Sequence, residues 1–237
     1  MQNDDPIIIA LDYETSGAAR DLVRLLGDTA GFYKVGLELF THAGPDFVRE
    51  LVGSGKRVFL DLKFFDIGET VKRATEQVAR LGATFLTIHG SPQIMRAAHT
   101  GRESASRNSG LKLLAVSVLT SWNDDDALEA GYEKSVRELA GRVVRKALET
   151  GIDGVIASPL EATAIRAQAG PNLILVTPGI RSRGAAVGDQ KRTSTPAEAL
   201  RDGADYLVIG RQVTRSNDPL FAIGQIREEI SNALTAH

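Results

Sequence analysis

Eight short apolar runs alternate with helix-patterned stretches along the whole chain: Ile7–Leu11, Tyr33–Gly36, Val58–Lys63, Phe85–His89, Leu113–Val118, Gly154–Ala157, Leu173–Thr177 and Tyr206–Ile209. Their near-continuous apolar character is what strands covered on both faces require, so the pattern points to a parallel sheet with helices outside it. Between the runs lie amphipathic stretches. The clearest places Val136, Leu139, Ala140, Val143, Val144, Ala147 and Leu148 on one helical stripe. No linker or low-complexity break interrupts the eight units. The expectation is therefore an α/β fold with one domain over residues 1–237, a single (β/α)8 TIM barrel; 237 residues match the roughly 250 typical of that fold. An open, doubly wound sheet is the structural alternative.

The punctuation between the runs fits. Ser158-Pro159-Leu160-Glu161 and Thr195-Pro196-Ala197-Glu198 each offer a capping hydroxyl, a proline at the first helical position and a glutamate two residues further on. Ser91-Pro92-Gln93 resembles a third helix start. Gly82, Gly151 and Gly203 stand just before strands, where a left-handed helix stop makes a tight turn.

Composition removes several classes of function. A net charge of −2 gives no footprint for nucleic acid or anionic membranes. The absence of cysteine excludes disulfides, thiolate ligands and cysteine nucleophiles. The start Met1-Gln2-Asn3-Asp4-Asp5 is acidic and polar, unlike a signal peptide, and the apolar runs fall far short of the about 20 residues that span a bilayer. A soluble, cytoplasmic protein is expected.

In a barrel the chemistry gathers at the C-terminal ends of the strands. There the first run leads into Asp12, the second carries Lys34 and the third holds Asp61 and Lys63; the seventh leads through Pro178 to Arg181, and the eighth to Gly210-Arg211. Period-two alternation puts Asp61 and Lys63 on one face of the third strand, with Leu60, Leu62 and Phe64 on the other. The apolar face must meet the helices, so the charged pair points into the barrel mouth. An isolated D-x-K reads as a structural ion pair; Lys34 and Asp66 beside it favour a functional array. Gly210-Arg211 after the last strand suits a phosphate, which barrels often hold there. The stretch from Arg181 to Thr193 has two glycines and four cationic side chains and suits a closing lid.

Taken together, these residues resemble the bacterial orotidine 5′-monophosphate decarboxylases from Ile7 to about Arg211. The specific blocks are Ala10-Leu11-Asp12, Lys34-Val35-Gly36, Asp61-Leu62-Lys63-Phe64-Phe65-Asp66-Ile67, Ser117-Val118-Leu119-Thr120-Ser121, Thr177-Pro178-Gly179-Ile180-Arg181, Asp189-Gln190-Lys191-Arg192 and Gly210-Arg211. The resemblance implies a cofactor-free and metal-free carboxy-lyase that converts orotidine 5′-monophosphate to uridine 5′-monophosphate. Lys34, Asp61, Lys63 and Asp66 would form its charged array, and Lys63 would protonate C6. A homodimer is implied, with Asp66, Ile67 and Thr70 entering the neighbouring subunit's site. Asp12 and Lys34 would hold ribose hydroxyls, Thr120 the pyrimidine edge and Pro178 the pocket wall. Gln190, Gly210 and Arg211 would hold the phosphate, Gln190 from the lid and bridging towards the base, and Arg181 would be a further substrate-binding residue. Many members read K-F-H-D-I-P-N-T where this chain has Lys63-Phe64-Phe65-Asp66-Ile67-Gly68-Glu69-Thr70.

Two alternatives stand beside this expectation. Magnesium-dependent keto-sugar-phosphate decarboxylases and aldolases share D-x-K-x-x-D but carry an acidic metal ligand on the second strand, where this chain has Lys34; Glu38 lies four residues on and reads as surface. A non-catalytic nucleotide-binding dimer is the other. His42, His99 and His237 read as surface or loop residues, His89 as hydrogen-bonding support near the mouth, and Trp122 as packing.

Overall fold

A computed structural model describes residues 5–105, 109–182 and 193–235. Eight parallel strands close into a barrel in sequence order, β1 pairing with both β2 and β8. They are β1 (Ile7–Ala10), β2 (Phe32–Gly36), β3 (Arg57–Phe64), β4 (Phe85–His89), β5 (Lys112–Val116), β6 (Gly154–Ile156), β7 (Ile174–Thr177) and β8 (Tyr206–Ile209). The helices are α1 (Ser16–Leu26), α2 (Leu37–Gly53), α3 (Gly68–Leu81), α4 (Pro92–Ala105), α5 (Asp124–Glu129), α6 (Val136–Thr150), α7 (Ala162–Ala169), α8 (Pro196–Arg201), α9 (Arg211–Thr214) and α10 (Pro219–Thr235). All eight expected strands form, and the closed order replaces the open-sheet alternative.

Strand alternation divides the core in two. Ile7, Ile9, Val35, Leu60, Leu86, Leu113, Val155, Leu175 and Leu207 face outward and pack against the helices. Ile8, Ala10, Phe32, Phe59, Phe85, Leu114, Ile156, Val176 and Val208 fill the barrel interior. Its aromatic members interlock: Phe85 stands 5.1 Å from Phe32 and 5.3 Å from Tyr206, centroid to centroid, in tilted and edge-on arrangements. The barrel is thus plugged by side chains and leaves chemistry only at its mouth.

Local signals set the helix ends. Thr195 closes a capping box with Glu198 as expected, and Ser135 with Glu138 and Asn123 with Asp126 form two more. Ser158 differs: its hydroxyl accepts from Leu160 N–H and starts a 3-10 turn, with α7 following only from Ala162. Gly82, Gly151 and Gly203 all have positive φ, as the turns before β4, β6 and β8 require. The aspartates that follow two of these glycines add a second anchor. Asp153 accepts Leu113 N–H at 2.9 Å and Asp205 accepts Leu175 N–H at 2.7 Å, each pinning the start of a neighbouring strand. Along α6 the apolar stripe buries Val136, Leu139, Ala140, Val144 and Ala147. Leu148 is exposed, because one further residue turns the side chain about 100° away from the barrel. Helices α3 and α4 meet through Gly101, where an added Cβ would stand 2.1 Å from Lys72 O.

Candidate active site

A cleft of about 520 Å³ opens at the C-terminal ends of the strands, within the range of small-molecule sites. Ala10, Val116, Ile156 and Val208, inward residues of the barrel, supply its apolar lining. On its wall stands an alternating line of charge. Lys34 Nζ, from β2, donates to Asp12 Oδ1 at 2.8 Å and lies 3.8 Å from Asp61 Oδ2. Lys63 Nζ donates to Asp61 Oδ1 at 2.8 Å. Lys34 is buried, so its ammonium needs both carboxylates around it. Gly36 makes the approach possible: a Cβ there would stand only 3.1 Å from Lys34 Nζ.

Asp61 and Lys63 reach the mouth together, but not by simple strand alternation. Phe59 and Leu60 pair with Phe85 and Leu86, after which Phe64 pairs with Ile88, so β3 spends four residues where β4 spends two. The excess is taken up around Lys63, whose φ of +47° is left-handed, a conformation that costs a non-glycine residue about 1–2 kcal/mol. Lys63 N–H donates to Thr87 Oγ1 at 2.9 Å, and Thr87 Oγ1 donates to Asp61 Oδ1, also at 2.9 Å. Burial pushes the Asp61 carboxyl up. The ammonium groups of Lys34 and Lys63, with hydrogen bonds from Lys63 and Thr87, outweigh that and hold it below the ordinary aspartate range.

The part of the cleft formed by the loops after β7 and β8 is cationic. Arg181, Arg211 and Arg215 line it together with Pro178, Gly179 and Gly210. Burial, with the nearby charge of Arg211 added, lowers the pKa of Arg181. Gln212 ties the seventh loop to the eighth, donating to Ser182 Oγ at 2.7 Å and accepting Ser182 N–H at 3.1 Å. Thr120 and Ser121 complete the rim from the β5 loop.

One cleft therefore gathers Asp12, Lys34, Asp61, Lys63, Thr120, Pro178, Arg181, Gly210 and Arg211, all of them expected from the sequence. Asp66, Ile67 and Thr70 stand apart. The Asp66 carboxylate accepts Ile67 N–H at 2.6 Å, and Asp66 and Thr70 line a separate groove of about 410 Å³ with Leu37, Phe40 and Phe65. Ile67 is 77% exposed. Gln190 and the rest of residues 183–192 lie outside the described residues. Sequence reasoning gave no role to Thr87, Gly36 or Arg215. Glu38 was expected on the surface and is exposed, but it sits in the first turn of α2 on the cleft rim. The inward parity of Thr87 on β4 could have placed it level with the mouth, though not its hydrogen bonds. Among the described residues no three His, Cys, Asp or Glu side chains group as a metal site. His89 stacks on Phe65 at 4.1 Å and accepts Ser91 N–H through Nδ1, and burial lowers its pKa. Trp122 packs against the small cluster of Val118, Ala127, Val136 and Leu139.

A closed parallel barrel whose mouth gathers a lysine–aspartate line and a cluster of arginines in one cleft defines a class: (β/α)8 proteins equipped for small anionic substrates. The profile of the orotidine 5′-phosphate decarboxylase / HUMPS family matches residues 5–226, and the chain belongs to that family. It is 49% identical over 229 residues to an orotidine 5′-phosphate decarboxylase of Rhodopseudomonas palustris strain BisB5, covering 97% of this chain and 96% of the relative. It is 50% identical over 230 residues to that of Nitrobacter winogradskyi, covering 97% and 94%. Among solved structures, orotidine 5′-phosphate decarboxylase from Lactobacillus acidophilus superposes with a TM-score of 0.84 at 36% identity, covering 96% of this chain and 99% of that one. An uncharacterized conserved protein from Geobacillus kaustophilus gives 0.82 at 33% identity, covering 95% and 100%.

Proposed function

We propose that this chain decarboxylates orotidine 5′-monophosphate to uridine 5′-monophosphate, using its own side chains and no cofactor. The observation that carries the reading is the Lys63 ammonium, held at 2.8 Å by a half-buried, ionised Asp61 at the edge of a nucleotide-sized cleft. Breaking the bond from C6 to the carboxylate leaves an electron pair in the ring plane, where the π-system cannot delocalise it. A cation fixed beside that carbon stabilises the developing charge without reorganising. Lys63 then passes a proton to C6, CO2 departs, and the neutral amine regains its proton from solvent. Asp61 keeps the ammonium aimed.

The rest of the cleft orients the nucleotide. Asp12 and Lys34 hold ribose hydroxyls, Thr120 and Pro178 border the base, and Arg181, Gly210, Arg211 and Gln190 hold the phosphate. The mutual repulsion of Arg181 and Arg211 supports the phosphate assignment, because a bound dianion relieves it. Phosphate binding far from C6 then contributes to organising the reacting end.

The working unit in this reading is a homodimer. Asp66 and Thr70 line a groove separate from the cleft of their own chain, and Phe65 and Ile67, on either side of Asp66 in sequence, are exposed. That disposition suits insertion into a second subunit, where Asp66 joins the charged array. None of the described helices is long and apolar enough to cross a membrane, and a cytoplasmic location completes the reading.

The deciding assay mixes purified protein with orotidine 5′-monophosphate in excess EDTA and follows uridine 5′-monophosphate formation by absorbance. Rapid conversion supports the proposal. No conversion, with magnesium-dependent turnover of a keto-sugar phosphate instead, would transfer the chain to the metal-dependent decarboxylases and aldolases.

A further inference from the structure

We infer that Thr87 is a positioning residue for the decarboxylation, its one hydroxyl fixing both the Asp61 carboxylate and the irregular backbone that carries Lys63. Thr87 is completely buried on β4. Its Oγ1 uses its single proton on Asp61 Oδ1 and accepts Lys63 N–H with a lone pair, both at 2.9 Å. Lys63 has the only positive φ outside glycine among the described residues, and it lies within the stretch where the β3–β4 register shifts. A regular strand would pass that N–H to a backbone carbonyl of β4. Here the hydroxyl takes that place and turns the same contact onto the carboxylate that holds the Lys63 ammonium. The charged groups facing Asp61 are Lys34 from β2 and Lys63 from its own strand, with Asp12 beyond Lys34. His89, further along β4, instead stacks on Phe65 and accepts from Ser91. Thr87 is the neutral donor that completes the set.

Because Thr87 does not itself line the cleft and touches it only through Asp61 and Lys63, its removal acts through aim rather than affinity. Thr87→Val keeps the shape and deletes the hydroxyl; Thr87→Ser restores the hydroxyl and deletes a methyl. The turnover readouts rest on the decarboxylase reading, so a readout independent of turnover accompanies them: the acid titration of the Asp61 carboxyl carbon by NMR. In Thr87→Val, kcat falls roughly 10- to 100-fold while KM stays within about 3-fold, since small misplacements at a reacting centre cost rate before binding. The acid limb of the kcat profile and the Asp61 titration both move to higher pH, because a donor to the ionised carboxylate is gone. Thr87→Ser stays within about 3-fold of the parent on every measure. Wild-type kcat in Thr87→Val with an unmoved Asp61 titration overturns the inference, as does a serine variant as impaired as the valine one. Should Thr87→Val not fold, Thr87→Ala carries the same comparison. A parent protein inert towards orotidine 5′-monophosphate removes the decarboxylase reading instead, and the Asp61 titration alone then decides the role of Thr87.

Discussion

Lys63 Nζ lies 2.8 Å from Asp61 Oδ1, an ion pair made within one strand by two residues whose intervening backbone has left regular β geometry. The pair is unequal in exposure: Asp61 is the more enclosed, and the Lys63 ammonium reaches the edge where three cavities meet. The carboxylate thus acts as the fixed support and the ammonium as the group presented to a ligand.

If that division holds, Lys63→Ala removes chemistry and spares binding. Turnover of orotidine 5′-monophosphate should fall by about 10³-fold or more, as for loss of a principal transition-state donor. The dissociation constant for uridine 5′-monophosphate, measured by calorimetry, should change by less than about 10-fold, because ribose, base and phosphate contacts persist. Near-normal turnover in this variant would remove Lys63 from the mechanism.

Asp61→Asn tests the support. It leaves the ammonium groups of Lys34 and Lys63 without the carboxylate between them; breaking a fully buried pair costs about 3–5 kcal/mol, and the partial exposure of Lys63 keeps the cost here below that range. The pH dependence has a definite sign. Asp61 has a lowered pKa in the folded protein, so its contribution is complete above the ordinary aspartate range and is lost as pH falls through the folded value. Melting temperatures of parent and variant should therefore differ most near neutral pH and converge on strong acidification. A constant gap across that range would mean that the Asp61 charge does not stabilise the fold.

Arg211→Ala addresses the phosphate end. Uridine 5′-monophosphate should bind at least about 10-fold more weakly, in line with loss of a charge-assisted contact, while uridine, which has no phosphate, binds almost unchanged. Equal weakening of both ligands would show that the substitution disturbs the cleft as a whole rather than an anion site.

Much of this arrangement was legible because it obeys strand parity. Asp12, Lys34 and Asp61 lie at inward positions above Ala10, Phe32 and Phe59, so hydrophobic alternation alone aims them at the mouth. Lys63 was placed correctly for an incomplete reason: the register shift and left-handed φ depend on how β3 meets β4, which no local pattern encodes. Thr87 was overlooked because a threonine in an apolar strand reads as a β-former; only its neighbours reveal its hydroxyl as a bridge. Leu148 failed for the opposite reason. The stripe on α6 was real, but its last member falls beyond the width of the contact with the barrel.

Gly101→Ala separates packing from chemistry. The new Cβ would meet Lys72 O at 2.1 Å, and that backbone oxygen cannot move without displacing α3 from α4. Overpacking of this kind costs about 1–3 kcal/mol, so the melting temperature should drop measurably. An unchanged melting temperature would mean that the two helices sit farther apart than described.

The last prediction concerns Asp66, which lines a separate groove and not the cleft of its own chain. If two subunits exchange this residue, Lys63→Ala and Asp66→Asn proteins are each nearly inactive alone but complement one another when mixed under conditions of subunit exchange. In the mixed dimer, one site collects both substitutions and is dead, while the other combines intact Lys63 with the intact Asp66 of its neighbour. Random exchange makes half of the dimers mixed, so roughly a quarter of wild-type sites should reappear, a consequence of two-fold symmetry alone. Activity that rises on mixing to that level, alongside a dimer mass by sedimentation, establishes shared sites. Mixtures that remain as inactive as their parts despite demonstrated exchange would confine each site to a single chain and leave Asp66 outside the mechanism.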